Sequence, residues 1–444
     1  MPSRRELTFS AMWSSLVGKG LTSVLQLVAL PIARHALDDR AFVSYAVVVS
    51  LSAWLSFASP AMGPGAIVAA ARSSTSVDRI PVHVPMSLVV LALPIPGLVM
   101  LVAAANGWLG LGGELADSPL ALFMLALAAL VSALATSNEG LLIGRLQPVT
   151  ANALNALGTV LALGVLAILI AWDSSSWPAL FSAVAILPRL PHALLLLVGT
   201  HRLLRSGDQH ALFSHPGRRR LRQSVRETGL TNWRHSVVQI GSMATLNLPV
   251  LVAASRSTPD ATALLFVLMA LIAPAIGIVT PIARLQTAFG AGDQRARVGL
   301  RQLGPRRAGF VVGGLLLLVS AIGVTLPTLL DNVYKIADVD FAVSFAFAAL
   351  LAAVAIEYLT YSYRVVAIST PDVIRTALLK VGASAVVLMT WGSLAFAGIF
   401  ALFTGAHACS AWLFERTGSS NSSATGEVPE APLVSAGPTP QGGV

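Results

Sequence analysis

The chain has 444 residues, of which 55% are hydrophobic and only 11% are charged, against roughly a quarter charged in an average soluble protein. A water-soluble fold of this length has no means of hiding so much apolar surface, so the composition excludes a soluble enzyme or binding domain. The net charge of +9 does not mark a nucleic-acid partner, because the arginines sit in breaks between apolar runs and form no separate basic domain.

Apolar runs of about 20 residues, each long enough to cross a ~30 Å hydrocarbon core, recur from end to end. They predict an all-α integral membrane protein of about twelve transmembrane helices. The spans are residues 9–32, 42–70, 82–105, 119–142, 151–171, 177–199, 231–254, 261–283, 308–330, 341–363, 374–391 and 394–414. The last two are separated only by Gly392 and Ser393 and are equally readable as one long kinked helix. The first run follows Arg4 and Arg5 in the manner of a signal peptide, yet it carries Lys19 at its centre and is read as a retained membrane helix.

With the N-terminus inside, the outward-facing breaks contain Arg34, Arg40, Arg256 and Lys335, a small minority of the 29 basic residues. Lys19 and Arg189 fall within spans, and the others are assigned to the inner side. This asymmetry obeys the positive-inside rule and places both termini in the cytoplasm.

The longest internal break carries Arg218, Arg219, Arg220, Arg222 and Arg226 and divides the spans six and six. The predicted organisation is a six-helix bundle at 1–200, a basic cytoplasmic linker at 201–229, a second six-helix bundle at 230–415 and a disordered cytoplasmic tail at 416–444. The tail is rich in Ser, Gly, Pro, Thr and Glu and poor in apolar clusters. The linker is either an interfacial helix that grips anionic membrane lipids or a solvated segment that retains the loop inside.

The two halves begin alike. Leu30-Pro31 matches Leu248-Pro249, and Pro60-Ala61-Met62-Gly63 matches Pro274-Ala275-Ile276-Gly277. Because six is even, both halves enter from the same side, so the repeat is parallel about an axis along the membrane normal, a pattern found in transporters.

Polar residues line one face of each leading helix. Ser15, Lys19, Thr22 and Gln26 do so in the first span, and Asn232, His235, Gln239 and Ser242 in the seventh. Hydroxyls and amides in such places often only glue helices together. Lys19 needs more, since a cation at mid-bilayer costs at least ~3 kcal/mol unless it meets water or an anion. Arg189, between Pro188 and Pro191, has the same need beside a broken helical ladder. It is either an anion site facing a cavity or one half of a buried ion pair with Glu139 or Glu357.

Glu357 and Glu139 are the deep carboxylates, each either a proton or sodium site or a local salt bridge. The deep charge is net positive, which favours an anionic cargo. Gly309 and Gly313 form a GxxxG in the ninth span, a close-packing pattern. The histidines show no HExxH spacing and the chain has no GxxxxGK[ST] loop, so neither a zinc enzyme nor an ATPase is expected and no metal or cofactor is called for. Cys409 is the single cysteine, which leaves no disulfide framework.

The six-plus-six layout and Ala33-Arg34-His35-Ala36-Leu37, followed by Phe42 and Tyr45, resemble the polysaccharide flippases of the MOP superfamily, which also contains MATE drug exporters and lipid II flippases. Asp38 and Val43 stand where that family's pattern has glycines. The resemblance implies a V-shaped pair of bundles around a central cavity in a bacterial cytoplasmic membrane. It also implies a cargo of polyprenyl-diphosphate-linked oligosaccharide, flipped by alternating access for cell-surface polysaccharide biosynthesis, with polysaccharide assembly enzymes as partners. Lys19, Arg189 and Arg234 are then the cations for the diphosphate, with Gln26, Asn232, His235 and Gln239 beside them.

Two competitors belong to other classes. A MATE-like, ion-coupled exporter of organic cations calls for carboxylates at the midplane. A membrane-embedded saccharide polymerase or ligase calls for a sizeable outward loop with catalytic groups, and no outward break here exceeds roughly 15 residues, short of the long functional loops such catalysis uses.

Overall fold

The computed structural model describes residues 13–14, 31, 34, 39, 42–43, 45–47, 49–51, 64–72, 80–108, 119–145, 147–171, 189–201, 215–272, 305–334, 336, 339–364 and 369–424. In hydrocarbon each backbone N–H and C=O must be paired within its own segment, which leaves the α-helix as the form for these apolar runs. The helices are α1 (Pro64–Arg72), α2 (His83–Ala92), α3 (Ile95–Trp108), α4 (Pro119–Gly144), α5 (Pro148–Ala171) and α6 (Arg189–His201). They continue with α7 (His215–Arg256), α8 (Pro259–Ile272), α9 (Pro305–Tyr334), α10 (Phe341–Arg364), α11 (Thr370–Met389) and α12 (Phe396–Ala424). Four stretches are both long and apolar enough to cross a membrane on their described residues: Leu125–Gly144, Pro216–Arg256, Phe341–Tyr361 and Phe396–Arg416.

Two boundaries differ from expectation. The second half of the expected linker is not a separate segment, because α7 runs unbroken for 42 residues from His215. Pro216 stands in its first turn, where a missing N–H is harmless, and from there to Pro249 no proline interrupts the ladder. At 1.5 Å per residue α7 is about 60 Å long, roughly twice the hydrocarbon thickness, so its arginine-rich part stands beyond the bilayer. Helix α12 likewise continues to Ala424, past the expected start of the tail, and residues 425–444 lie outside the described ones. The stretch 374–414 is two helices, since Gly392 takes φ +90° in the turn between them, a conformation that strongly favours glycine.

Within the first half α4 is the central element, packed by α1, α3 and α6, with α5 against α6. Gly140 and Gly144 let α1 approach α4 closely. A side-chain carbon at Gly144 would lie 2.5 Å from the Ile67 carbonyl oxygen, and one at Gly140 2.9 Å from the Ala66 methyl carbon. This GxxxG pair, rather than Gly309 and Gly313 whose side-chain surroundings lie outside the described residues, is the close contact the structure shows. In the second half α10 packs against α9 and α12, and α11 against α7 and α12.

Helix α7 joins the halves. Its arginine-rich part lies along α1 and α2, with the Ser224 hydroxyl donating to that of Ser87 at 3.1 Å. At its other end Val250 shares a buried cluster with Phe42, Ala46 and Phe266. There Arg34 is 2.6 Å from Asp39, 3.7 Å from Asp260 and 5.2 Å above the Phe42 ring, and Phe42, Tyr45 and Phe266 form a ring cluster. Arg34, Phe42 and Tyr45, read above as one sequence motif, thus meet around the start of α8.

Candidate functional site

Every third or fourth residue of α7 between Asn232 and Thr245 is polar, so these groups share one helical face; α7 packs on α11, and side chains of α10 and α12 reach the same face at His235 and Thr245. Asn232 is fully buried and its Oδ1 accepts the Gly65 backbone N–H at 2.7 Å, while Nδ2 has no hydrogen-bond partner among the described residues. About one turn on, His235 Nδ1 lies 3.0 Å from the Tyr361 hydroxyl, and the Tyr361 ring in turn packs on Phe414 at 5.3 Å. Gln239 is buried and Arg234 is half-buried.

Beyond them lies the most highly charged buried cluster among the described residues. Glu357 of α10 is 4% exposed, and Lys380 of α11 and His407 of α12 are fully buried. One carboxylate oxygen of Glu357 accepts from Lys380 Nζ and the other faces His407 Nδ1. Lys380 also donates to Ser242 Oγ at 2.5 Å, and the Ser242 hydroxyl donates to the Val238 carbonyl at 3.1 Å. His407 Nε2 lies 2.9 Å from Thr245 Oγ1, whose second neighbour is the Ser242 carbonyl at 2.7 Å. Gly241 makes the geometry feasible: a side-chain carbon there would stand 3.2 Å from the Lys380 Cβ, so its absence lets the lysine stem lie flat on α7.

Charges removed from water are tolerated only when the pairing is close and the remaining valences are met, and this cluster meets both conditions. Glu357 is thus a salt bridge in this state, with Lys380 and His407 as its partners. Lys380 corrects the reading that Lys19 and Arg189 are the cations within spans. It lies inside the run 374–391, and the reasoning applied to Lys19 would have found it. Nothing in the spacing of His407 marked it, because its partners come from two other helices.

In the first half Glu139 is buried and accepts from Asn155 Nδ2 at 2.8 Å, and Asn152 Nδ2 donates to Ser14 Oγ at 3.0 Å. Pro188 lies outside the described residues, and Arg189 after it is the first residue of α6. Its side chain, Lys19 and Gln26 lie outside the described residues, as do Pro60-Ala61-Met62-Gly63 and Pro274-Ala275-Ile276-Gly277. Asn232, His235 and Gln239 thus share one face of α7, where Asn232 meets Gly65 of α1 and His235 meets Tyr361 of α10, the helix that carries Glu357, while Glu139 lies in the first half. No group of three or more His, Cys, Asp or Glu suited to a metal occurs among the described residues.

A cleft of about 340 Å³ opens beside the arginine-rich part of α7. It is lined by Gly65, His83, Arg220, Ser224, Glu227 and Thr231 among others, and so carries both charge signs.

No family model matches the sequence, and no curated protein matches it. Solved structures do. An outward-facing multidrug resistance MATE family transporter of the MOP superfamily aligns over 95% of this chain and 97% of its own, at TM-score 0.58 and 14% identity. A eukaryotic MATE transporter aligns over 93% and 94%, at TM-score 0.64 and 12% identity. A MOP superfamily transporter from Pyrococcus furiosus, described as having a binding pocket of reverse polarity that suggests a different function, aligns over 94% and 96% at TM-score 0.58 and 12% identity. The chain has the all-helical fold of these transporters, which have 12 transmembrane helices, and is a multi-pass membrane protein.

Proposed function

We propose that this protein is an alternating-access transporter that moves a polyprenyl-diphosphate-linked oligosaccharide across a bacterial cytoplasmic membrane. A fold does not fix its cargo, so the cargo must be argued from the residues. The observation that carries the reading is the state of the deep carboxylates. Glu357 has both oxygens engaged by Lys380 and His407, so it does not stand open to an organic cation, and one oxygen of Glu139 accepts from Asn155. Lys19 and Arg189, by contrast, are cations inside apolar runs and fit an anion. The Pyrococcus furiosus neighbour, with its pocket of reverse polarity, is in keeping with this fold serving more than one cargo.

The likeness to a multidrug resistance transporter keeps cation export as the second reading. Reconstitution into proteoliposomes separates the two. A fluorescent polyprenyl-diphosphate-linked saccharide should become accessible to a membrane-impermeant quencher faster with the protein than without it, and ethidium should not be carried. Ethidium transport with no movement of the lipid-linked saccharide would overturn the proposal.

A further inference from the structure

We infer that His407 is a proton-binding site of the second half, with the Thr245 hydroxyl as a rotor that satisfies the imidazole in both charge states. The geometry of Thr245 carries this. Its single hydroxyl proton has two acceptors in range, the Ser242 carbonyl at 2.7 Å and His407 Nε2 at 2.9 Å. If the proton points at the carbonyl, Thr245 Oγ1 accepts from Nε2–H. The Nδ1 nitrogen, which faces the Glu357 carboxylate, then carries the second proton of an imidazolium.

If the hydroxyl points at His407, Nε2 is a bare acceptor, and a neutral ring donates from Nδ1 to Glu357. The Ser242 carbonyl meanwhile keeps its place in the helical ladder. Neither state orphans a buried polar atom, and passage between them is rotation about one C–O bond. On uptake a hydronium loses a proton to the Nε2 lone pair and leaves as water; release is the reverse.

The ligand is a proton and not a metal cation, because the Lys380 ammonium and His407 already occupy the two oxygens of Glu357. Among the described residues the titratable groups that face His407 are Glu357 from α10 and Lys380 from α11, while α7 offers the hydroxyls Ser242 and Thr245. The polar face of α7 through Gln239, His235 and Asn232 leads from this cluster toward the arginine-rich end of that helix. With Lys380 charged and Glu357 ionised, the cluster is neutral before uptake and carries one positive charge after it, and that charge favours an approaching anion. By reciprocity the anion favours uptake. Only this last link rests on the anionic cargo proposed above.

The test uses the full chain in lipid nanodiscs with nitrogen-15-labelled histidine. The His407 signals are assigned from their loss in His407→Gln, or by elimination with the other histidines replaced singly if that variant does not fold. On acidification His407 should pass from the neutral Nδ1–H form to the doubly protonated ring, and replacing choline by sodium should change nothing. Thr245→Val deprives Nε2 of its partner in both states, and because the bond to the charged ring is the stronger one the transition should move to lower pH by about one unit; Thr245→Ser should restore it. A ring that stays in one state throughout, a transition displaced by sodium, or an unshifted Thr245→Val would each overturn the inference. The wild-type titration decides the proton site even if no Thr245 variant folds. None of these readouts depends on the cargo, so the flippase reading can fail while the proton site stands.

Discussion

Asn232 Oδ1 holds the backbone N–H of Gly65 at 2.7 Å, tying the second half to the first, and a side-chain carbon on Gly65 would fall 2.2 Å from that oxygen. Gly65→Ala must therefore expel the buried amide and break the bond. The expected loss is about 1–3 kcal/mol, the range for a buried group left unsatisfied. It should register as lower thermal stability in detergent with helix content unchanged. A Gly65→Ala protein as stable as wild type would show that the two halves do not depend on this contact.

Lys380 and Glu357 should behave as a pair. Lys380→Met strands a buried carboxylate and Glu357→Gln strands a buried ammonium, and unpairing of this kind costs about 3–5 kcal/mol. Each single variant should reduce the amount of protein in the membrane, and the double variant should recover most of it. A double variant no more abundant than the worse single one would contradict the pairing.

Lys19 and Arg189 should show the opposite pattern if they hold the diphosphate. An isolated cation inside the bilayer is a burden on stability, so Lys19→Ala and Arg189→Ala should reach normal abundance and lose saccharide export. Lys19→Arg should keep part of the activity. Arg189→Lys should keep less, since a point charge does not replace a two-pronged guanidinium. Normal export by both alanine variants would remove these residues from the cargo site.

Topology is open to single-cysteine labelling in a Cys409→Ala background, the exposed Cys409 being the native thiol. An impermeant maleimide applied to intact cells should modify Ser393→Cys, in the turn between α11 and α12, and not Arg219→Cys on α7 until the membrane is opened. Labelling of Arg219→Cys from outside would invert the arrangement.

By itself the sequence determined the membrane class, the helical fold and most helix positions. Those follow from apolar runs measured against bilayer thickness and from backbone groups that have no partner but their own helix. The polar face of α7 was also legible, because residues spaced three and four apart share a side of a helix wherever that helix packs. Helix ends were less so: His215–Arg226 is helical through its continuity with α7 and its packing on α1 and α2, while its charges alone read as a loop. Which charges neutralise one another was decided only by tertiary structure. Glu357, Lys380, His407 and Thr245 stand on four helices, and an ion pair depends on a few ångströms of approach between helices that local spacing does not encode.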